Sequence, residues 1–299
     1  MKSNKYEIDM CNGSIMDKLV SFALPLMLSG ILQLMFNAVD IIVVGRFSGS
    51  EALAAVGSTT ALINVFTNLF IGISLGANVL AARFFAAGRK EEMSETVHTS
   101  ITLALISGIL MAFVGLVFSK GALELMGTPE DVIGLSTLYM RIYFMGMPFF
   151  MLYNYGAAIL RAVGDTKRPL YFLIIAGVIN AGLNMVLVIV FGLGVAGVGI
   201  ATVFSQMVSC VLVLTCLCRT EGSYKLSFSK LSMKGYYLKQ IFQVGIPAGI
   251  QSTVINFSNA LLQSSVNSFG STAMAGYTAA NNILGFLYVS INSVTQACM

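Results

Sequence analysis

The sequence predicts an all-α polytopic membrane protein. Three observations carry that expectation: the dominance of apolar side chains, the length of the charge-free runs, and the lopsided placement of Lys and Arg. Of 299 residues, 57% are hydrophobic and only 10% are charged, and the mean hydropathy is +0.84. A soluble domain carries roughly 25% charge. So few charged side chains cannot clothe a water-facing surface, and lipid must be the solvent for much of it. Barrel strands would alternate in segments of about ten residues. These runs are instead continuously apolar and rich in Leu, Met, Ala and Gly, as helices that satisfy their own backbone in lipid require.

A span needs roughly 20 apolar residues to cross about 30 Å of hydrocarbon. Leu19 to Val39 is one run, continuing past Asp40 to Gly45. Ala52 to Ala82, Thr96 to Ser119, and Val132 to Leu160 (interrupted by Arg141) are the next three. Pro169 to Cys218 and Gln240 to Met299 are charge-free over 50 and 60 residues, room for two spans each. The first pair divides at the turn written in Gly192, Gly194, Gly197 and Gly199, the second near Asn267 to Thr272. Eight spans result. The start is not read as a signal peptide, because Lys2 and Lys5 are followed by Glu7 and Asp9 and the apolar run from Leu19 is too long for a signal core.

Orientation follows from the basic residues. With the N-terminus inside, the inner segments hold Lys2, Lys5, Lys18, Arg83, Arg89, Lys90, Arg161, Lys167, Arg168, Arg219, Lys225, Lys230, Lys234 and Lys239, whereas the outer ones hold only Arg46 and Lys120. The positive-inside rule then predicts both ends cytoplasmic. The net charge of +4 is scattered over loops, so no face suits nucleic acid. Five cysteines and the single His98 form no ligand cluster. Cys216 and Cys218 read as reduced thiols rather than a metal pair, and no cofactor is expected.

An internal repeat organises the chain. Residues 49–56 read GSEALAAV and residues 270–277 read GSTAMAGY, while Pro25 and Pro247 match at nearly the same offset, each early in a span that follows a basic stretch. Six spans separate the copies, so both begin on the same side and the repeat is parallel. Residues 1–218 are read as a first lobe of six spans (the N-lobe), 219–239 as an inner linker, and 240–299 as the first two spans of an incomplete second lobe (the C-lobe). A unit of about 220 residues implies that four further spans belong to the second lobe.

Several stretches carry a family resemblance. They are Asn37-Ala38-Val39-Asp40 through Val44-Gly45-Arg46 to Ala52-Leu53-Ala54-Ala55-Val56-Gly57; the loop Leu160-Arg161-Ala162-Val163-Gly164-Asp165-Thr166-Lys167-Arg168-Pro169; Asn180 and Asn184; and Gly197 to Thr202. In this order they resemble the MATE family of multidrug and toxic compound extrusion transporters, over nearly the whole chain and closest to its bacterial DinF-like and Gram-positive efflux branches. The resemblance implies a MATE/MOP-type fold of twelve spans in two six-helix lobes. It further implies a bacterial plasma-membrane location, a monomer, and exchange of H⁺ or Na⁺ for small organic, often cationic, compounds. Members with a glutamate in the seventh span differ from this chain, which has Ile255 and Asn256 there.

Asp40 is the only acidic side chain inside the eight apolar runs. A mid-span Asp costs about 2.5–3.5 kcal/mol on insertion scales, so it needs a partner or a role. One reading is a group that accepts H⁺ or Na⁺; the other is an interfacial Asp near the outer end, since Arg46 follows six residues later. Gln33, Asn37 and Asp40 share one helix face at i, i+4, i+7. Asn180 and Asn184 repeat that spacing on the fifth span, and Thr202, Gln206 and Ser209 follow a similar one on the sixth. By resemblance Asp40, Asn180, Asn184 and Thr202 map onto a cation site of the first lobe, with Gln33, Asn37 and Gln206 as its supporting polar network. Some relatives carry an acid where Asn184 stands. The alternative for these amides and hydroxyls is interhelical hydrogen bonding alone.

Pro25, two turns into the first span, is either a gating bend or a static kink. Arg141 either snorkels outward or faces Asp40 as a counter-ion. Asp165 and Thr166 read as the cap of the helix that follows. In the second lobe Asn256, Asn259, Gln263 and Asn281 are candidates for a substrate cleft. A flippase for lipid-linked oligosaccharides is the alternative transport function, but its pyrophosphate substrate calls for several cations in the cavity and only Arg141 is available. A non-transporting assembly subunit is a third class. No nucleophile–base pair or phosphate loop points to an enzyme.

Overall fold

The computed structural model describes residues 14–267 and 271–298, less the side chains at 50, 58, 61, 257, 260, 261, 263–267, 271–283 and 286. The described residues form nine α-helices, with α4 and α5 falling within one apolar run. In order these are α1 (Ile15–Phe47), α2 (Gly49–Ala86), α3 (Lys90–Leu125), α4 (Glu130–Met145) with α5 (Met147–Ala162), α6 (Lys167–Asn184), α7 (Gly194–Arg219), α8 (Gly235–Asn267) and α9 (Ser271–Cys298). Among the described residues, α1, α2, α3, α6 with its extension, and α7 are each long and apolar enough to span a bilayer. The 33 residues of α1 reach about 50 Å, so its ends stand beyond the hydrocarbon.

Three details differ from the pattern of apolar runs. The fourth crossing breaks at Gly146–Pro148 rather than at Arg141, because proline supplies no backbone N–H and is tolerated in the first turn of a new helix; Pro148 sits there in α5. After Asn184 the fifth apolar run widens into a π-helical segment, Met185–Val190. The turn that follows uses only Gly192 and Gly194, both with positive φ. Gly197 and Gly199 lie inside α7, where their bare backbone lets Leu187 and Ile142 approach: a Cβ on either would come within 3.2 Å or less of them.

The core of the bundle is centred on α5. Phe144, Met147, Met151, Tyr155, Ile159 and Leu160 are fully buried, and α5 lies against α2, α3 and α7. Outward-facing apolar side chains such as Phe113, Phe118 and Val178 form the surface that lipid covers. α9 then packs on α1 and α8 on α2. The α2–α8 contact is backbone to backbone: a Cβ on Gly72 would fall 2.2 Å from the Gly249 Cα, and one on Gly76 would fall 2.2 Å from the Ile241 carbonyl oxygen. Small residues four apart on facing helices are the means by which membrane helices come this close.

At the Lys/Arg-rich end, the segment read as a linker is folded onto the bundle. Tyr224 and Leu226 are buried, and Lys234 pairs with Glu95 at 2.8 Å. The Ser227 N–H donates to His98 Nε2 at 3.2 Å, while His98 Nδ1 meets the Ser94 carbonyl at 2.7 Å. That arrangement selects the neutral tautomer protonated on Nδ1. Of the cysteines, Cys210, Cys216, Cys218 and Cys298 are free thiols; Cys11 lies outside the described residues.

Candidate functional site

A cavity of about 290 Å³ opens among α1, α2, α4, α5, α6 and α7. Asp40 lines it, together with Gln33 and Asn37 from its own helix, Asn180 from α6, and Thr202, Gln206 and Ser209 from α7. The helical spacing explains the convergence. Each helix has one polar stripe on an otherwise apolar surface, and burying the three stripes against one another keeps their hydrogen-bonding groups out of lipid.

Asn184 is the closest partner of the carboxylate. It is fully buried, Asn180 is 5% exposed, and the Asn184 amide nitrogen donates to Asp40 Oδ1 and, at 3.2 Å, to Asn180 Oδ1. The amide oxygen of Asn184 is buried with no protein partner among the described residues. A buried carbonyl of this kind is an acceptor waiting for a proton donor or a cation. Asn184 is the last residue of α6 before the π segment, a distortion found frequently at functional sites.

Thr202 contributes less than its position promised. Its hydroxyl donates to the Val198 carbonyl of its own helix at 2.9 Å, which leaves only the oxygen's lone pairs for the cavity. Gln206 Oε1 is buried without a partner among the described residues. Pro25 is buried, α1 runs through it as one continuous helix, and its carbonyl accepts a hydrogen bond from Ser29 Oγ at 2.8 Å.

The cavity also contains residues that the sequence reading passed over: Thr60 and Asn64 of α2, Tyr139 and Tyr143 of α4, and Tyr153 and Asn154 of α5. Tyr139 and Tyr143 stand at i, i+4 and Asn64 follows Thr60 at the same spacing, so the signal was present, hidden among many aromatic and hydroxyl residues. Asn154 is anchored by donating to the Phe150 carbonyl at 2.8 Å. Arg141 is exposed and does not line the cavity, as the snorkelling reading requires.

Of the candidates on α8 and α9, Asn256 and Asn259 do not line this cavity. Asn256 is exposed and donates to the Ser252 carbonyl of its own helix at 2.8 Å, and Asn259 is exposed. The side chains of Gln263 and Asn281 lie outside the described residues. At the basic end Asp165 does cap α6: its Oδ1 accepts from the Arg168 N–H at 3.1 Å, and its carboxylate pairs with the Arg168 guanidinium. Burial pushes the Asp165 carboxyl up, against the pull of the Arg168 N–H and guanidinium. Gly164, with φ +86°, makes the turn that delivers Asp165 to this position.

Comparison with known proteins bears on the whole arrangement. The MatE family model matches residues 25–186. The probable multidrug resistance protein YoeA of Bacillus subtilis is 35% identical over 89% of this chain and 59% of its own length. A MOP superfamily transporter from Pyrococcus furiosus superposes with a TM-score of 0.91 at 25% identity, covering 99% of this chain and 66% of that one. An outward-facing multidrug resistance MATE transporter superposes at 0.90, also at 25% identity, over 99% of this chain and 66% of its own. The chain therefore spans about three-fifths of the length of the curated relatives it matches. With the family model covering more than half of the sequence and the fold reproduced along its length, this helical membrane protein belongs to the MatE family, the MATE transporters.

Proposed function

We propose that the chain works in multidrug efflux, exporting amphipathic and often cationic organic compounds across the bacterial plasma membrane in exchange for H⁺ or Na⁺, with its N-terminus in the cytoplasm. The observation that supports this most is the pairing of Asp40, which lines a polar cavity, with the fully buried Asn184. The relatives named for multidrug resistance and export support the substrate class.

The chemistry follows from what an amide can do. With Asp40 ionised, the Asn184 amide nitrogen donates to it. With Asp40 protonated, the carboxylic acid becomes the donor, and the amide must turn its oxygen toward it. Binding Na⁺ calls for the same reversal, since a hard cation is held by oxygen ligands. The free Asn184 oxygen makes either exchange possible without moving the backbone. Because Asp40 is on α1 and Asn184 on α6, a change in this one pair alters how those two helices meet. α1 also packs on α9, which carries the change to the second lobe.

Expression of the protein in a drug-sensitive bacterial host tests the reading. Dye efflux and resistance are expected with the native sequence and are expected to vanish in Asp40→Asn, which keeps the shape and removes the charge. Undiminished efflux in that variant would remove Asp40 from the coupling. Varying pH and sodium separately in membrane vesicles identifies the ion.

A further inference from the structure

A second cavity, about 420 Å³, lies at the basic end between the last turns of α2 and the first turns of α8. Arg83, Arg89 and Lys239 line it, with Tyr236, Gln240 and Gln243, and no acidic side chain is among its lining residues. Arg89 is held in place from two sides: by Glu92 at 2.5 Å and by stacking 5.2 Å over the Phe84 ring. Among the described residues Arg83 and Lys239 make no ion pair. Three cations and two amides thus face one concave space, with only one of the cations neutralised inside the protein. Gathering like charges without a counter-charge is unfavourable, so the arrangement calls for an anion.

The position narrows the class of anion. The cavity sits where the helices leave the hydrocarbon, beside an exposed Tyr236 of the kind found at the headgroup level. Val79, Leu80 and Val244 make its apolar wall, of which Val244 is exposed. Basic pockets between membrane helices at this depth suit phosphate headgroups. We infer that Arg83, Arg89 and Lys239 bind the phosphate of an anionic phospholipid headgroup, with its acyl chains along the α2–α8 surface. The bound lipid ties the α2–α3 turn to α8. It thereby clamps the two lobes directly beside the place where Gly72 and Gly76 meet Gly249 and Ile241.

Native mass spectrometry of the purified protein, released from nanodiscs of phosphatidylglycerol or phosphatidylcholine, tests this. Retained phosphatidylglycerol adducts are expected, with phosphatidylcholine adducts lost. Each charge near the membrane surface is worth about a fivefold change in affinity, so Arg83→Gln with Lys239→Gln should weaken retention about 25-fold. Lys225→Gln with Lys230→Gln, which removes two exposed charges elsewhere at the same end, should leave retention unchanged. Arg83→Lys with Lys239→Arg, which keeps the charge, should restore it and guards against a misfolded variant. Equal retention in the Gln pair and the native protein would overturn the site. If inorganic phosphate displaced the lipid and matched its stabilising effect, the ligand would be a soluble phosphate and the lipid assignment would fall.

Discussion

The polar residues of α1, α6 and α7 and those of α8 recur at similar helical spacings, yet those of α8 end in a different environment. Gln33, Asn37, Asp40, Asn180 and Thr202 surround one cavity. Asn256 and Asn259 of α8 face outward, and Asn256 spends its amide on its own backbone. What differs is the partner helix. Each polar stripe in the first lobe meets another, while the face α8 turns toward the bundle is a glycine seam that closes on α2. A polar stripe becomes a site only when tertiary packing brings a second stripe to it, and a charge at the junction makes it a site of chemistry.

That contrast can be broken experimentally, and the largest effect falls on its charged member. Asp40→Asn is expected to abolish ion-coupled efflux in a cell-based dye assay while the protein still reaches the membrane and elutes as a single species. Next comes the seam. Gly72→Val places a side chain where the Gly249 backbone lies, and overpacking of this sort costs about 1–3 kcal/mol. A lower melting temperature in detergent and loss of close α2–α8 cross-linking between introduced cysteines should follow.

Replacing one member of the buried ion pair at the basic end also weakens the fold. Asp165→Asn leaves the Arg168 guanidinium, 15% exposed, facing a neutral amide, at a cost of about 3 kcal/mol. The expected outcome is reduced thermal stability with transport retained in the surviving protein. Asn184→Ala removes the donor to Asp40 and leaves its carboxylate with one fewer partner, a loss of about 1.5–3 kcal/mol for a bond to a charged group. Efflux should fall at least tenfold, and its pH or sodium dependence should shift. The smallest effect belongs to α8: Asn256→Ala should change efflux less than twofold, because the side chain is exposed and internally bonded. A large loss there would place the second lobe's polar face in the transport path and erase the contrast.

The long apolar helices were legible because lipid enforces them. Each charge-free run between Lys18 and Cys218 had to be a helix, since no other open segment satisfies its backbone there. Boundaries were legible where a charge or a turn residue stood, as at Gly164-Asp165, and less so where geometry alone decided. The break at Gly146–Pro148 was obscured by Arg141, a more conspicuous interruption that the helix carries on its outer surface. The polar stripes were legible one helix at a time. Tyr139, Asn154 and Asn64 were not, because tyrosines and asparagines on apolar helices look alike whether they face a cavity, a neighbour or the interface.

Periodicity and composition by themselves determined that this is a helical membrane protein, where its long apolar helices run, and which face of each helix is polar. These follow from local rules, the hydrogen-bonding demand of the backbone and the period of the helix, and each residue obeys them with reference only to its chain neighbours and its solvent. Tertiary structure decided which faces meet, that Asn184 turns its nitrogen rather than its oxygen to Asp40, and that α8 lies on α2 backbone to backbone. Those outcomes depend on shape complementarity between segments distant in the chain, where a missing Cβ or a displaced ring selects one packing over another, and no local pattern encodes that choice.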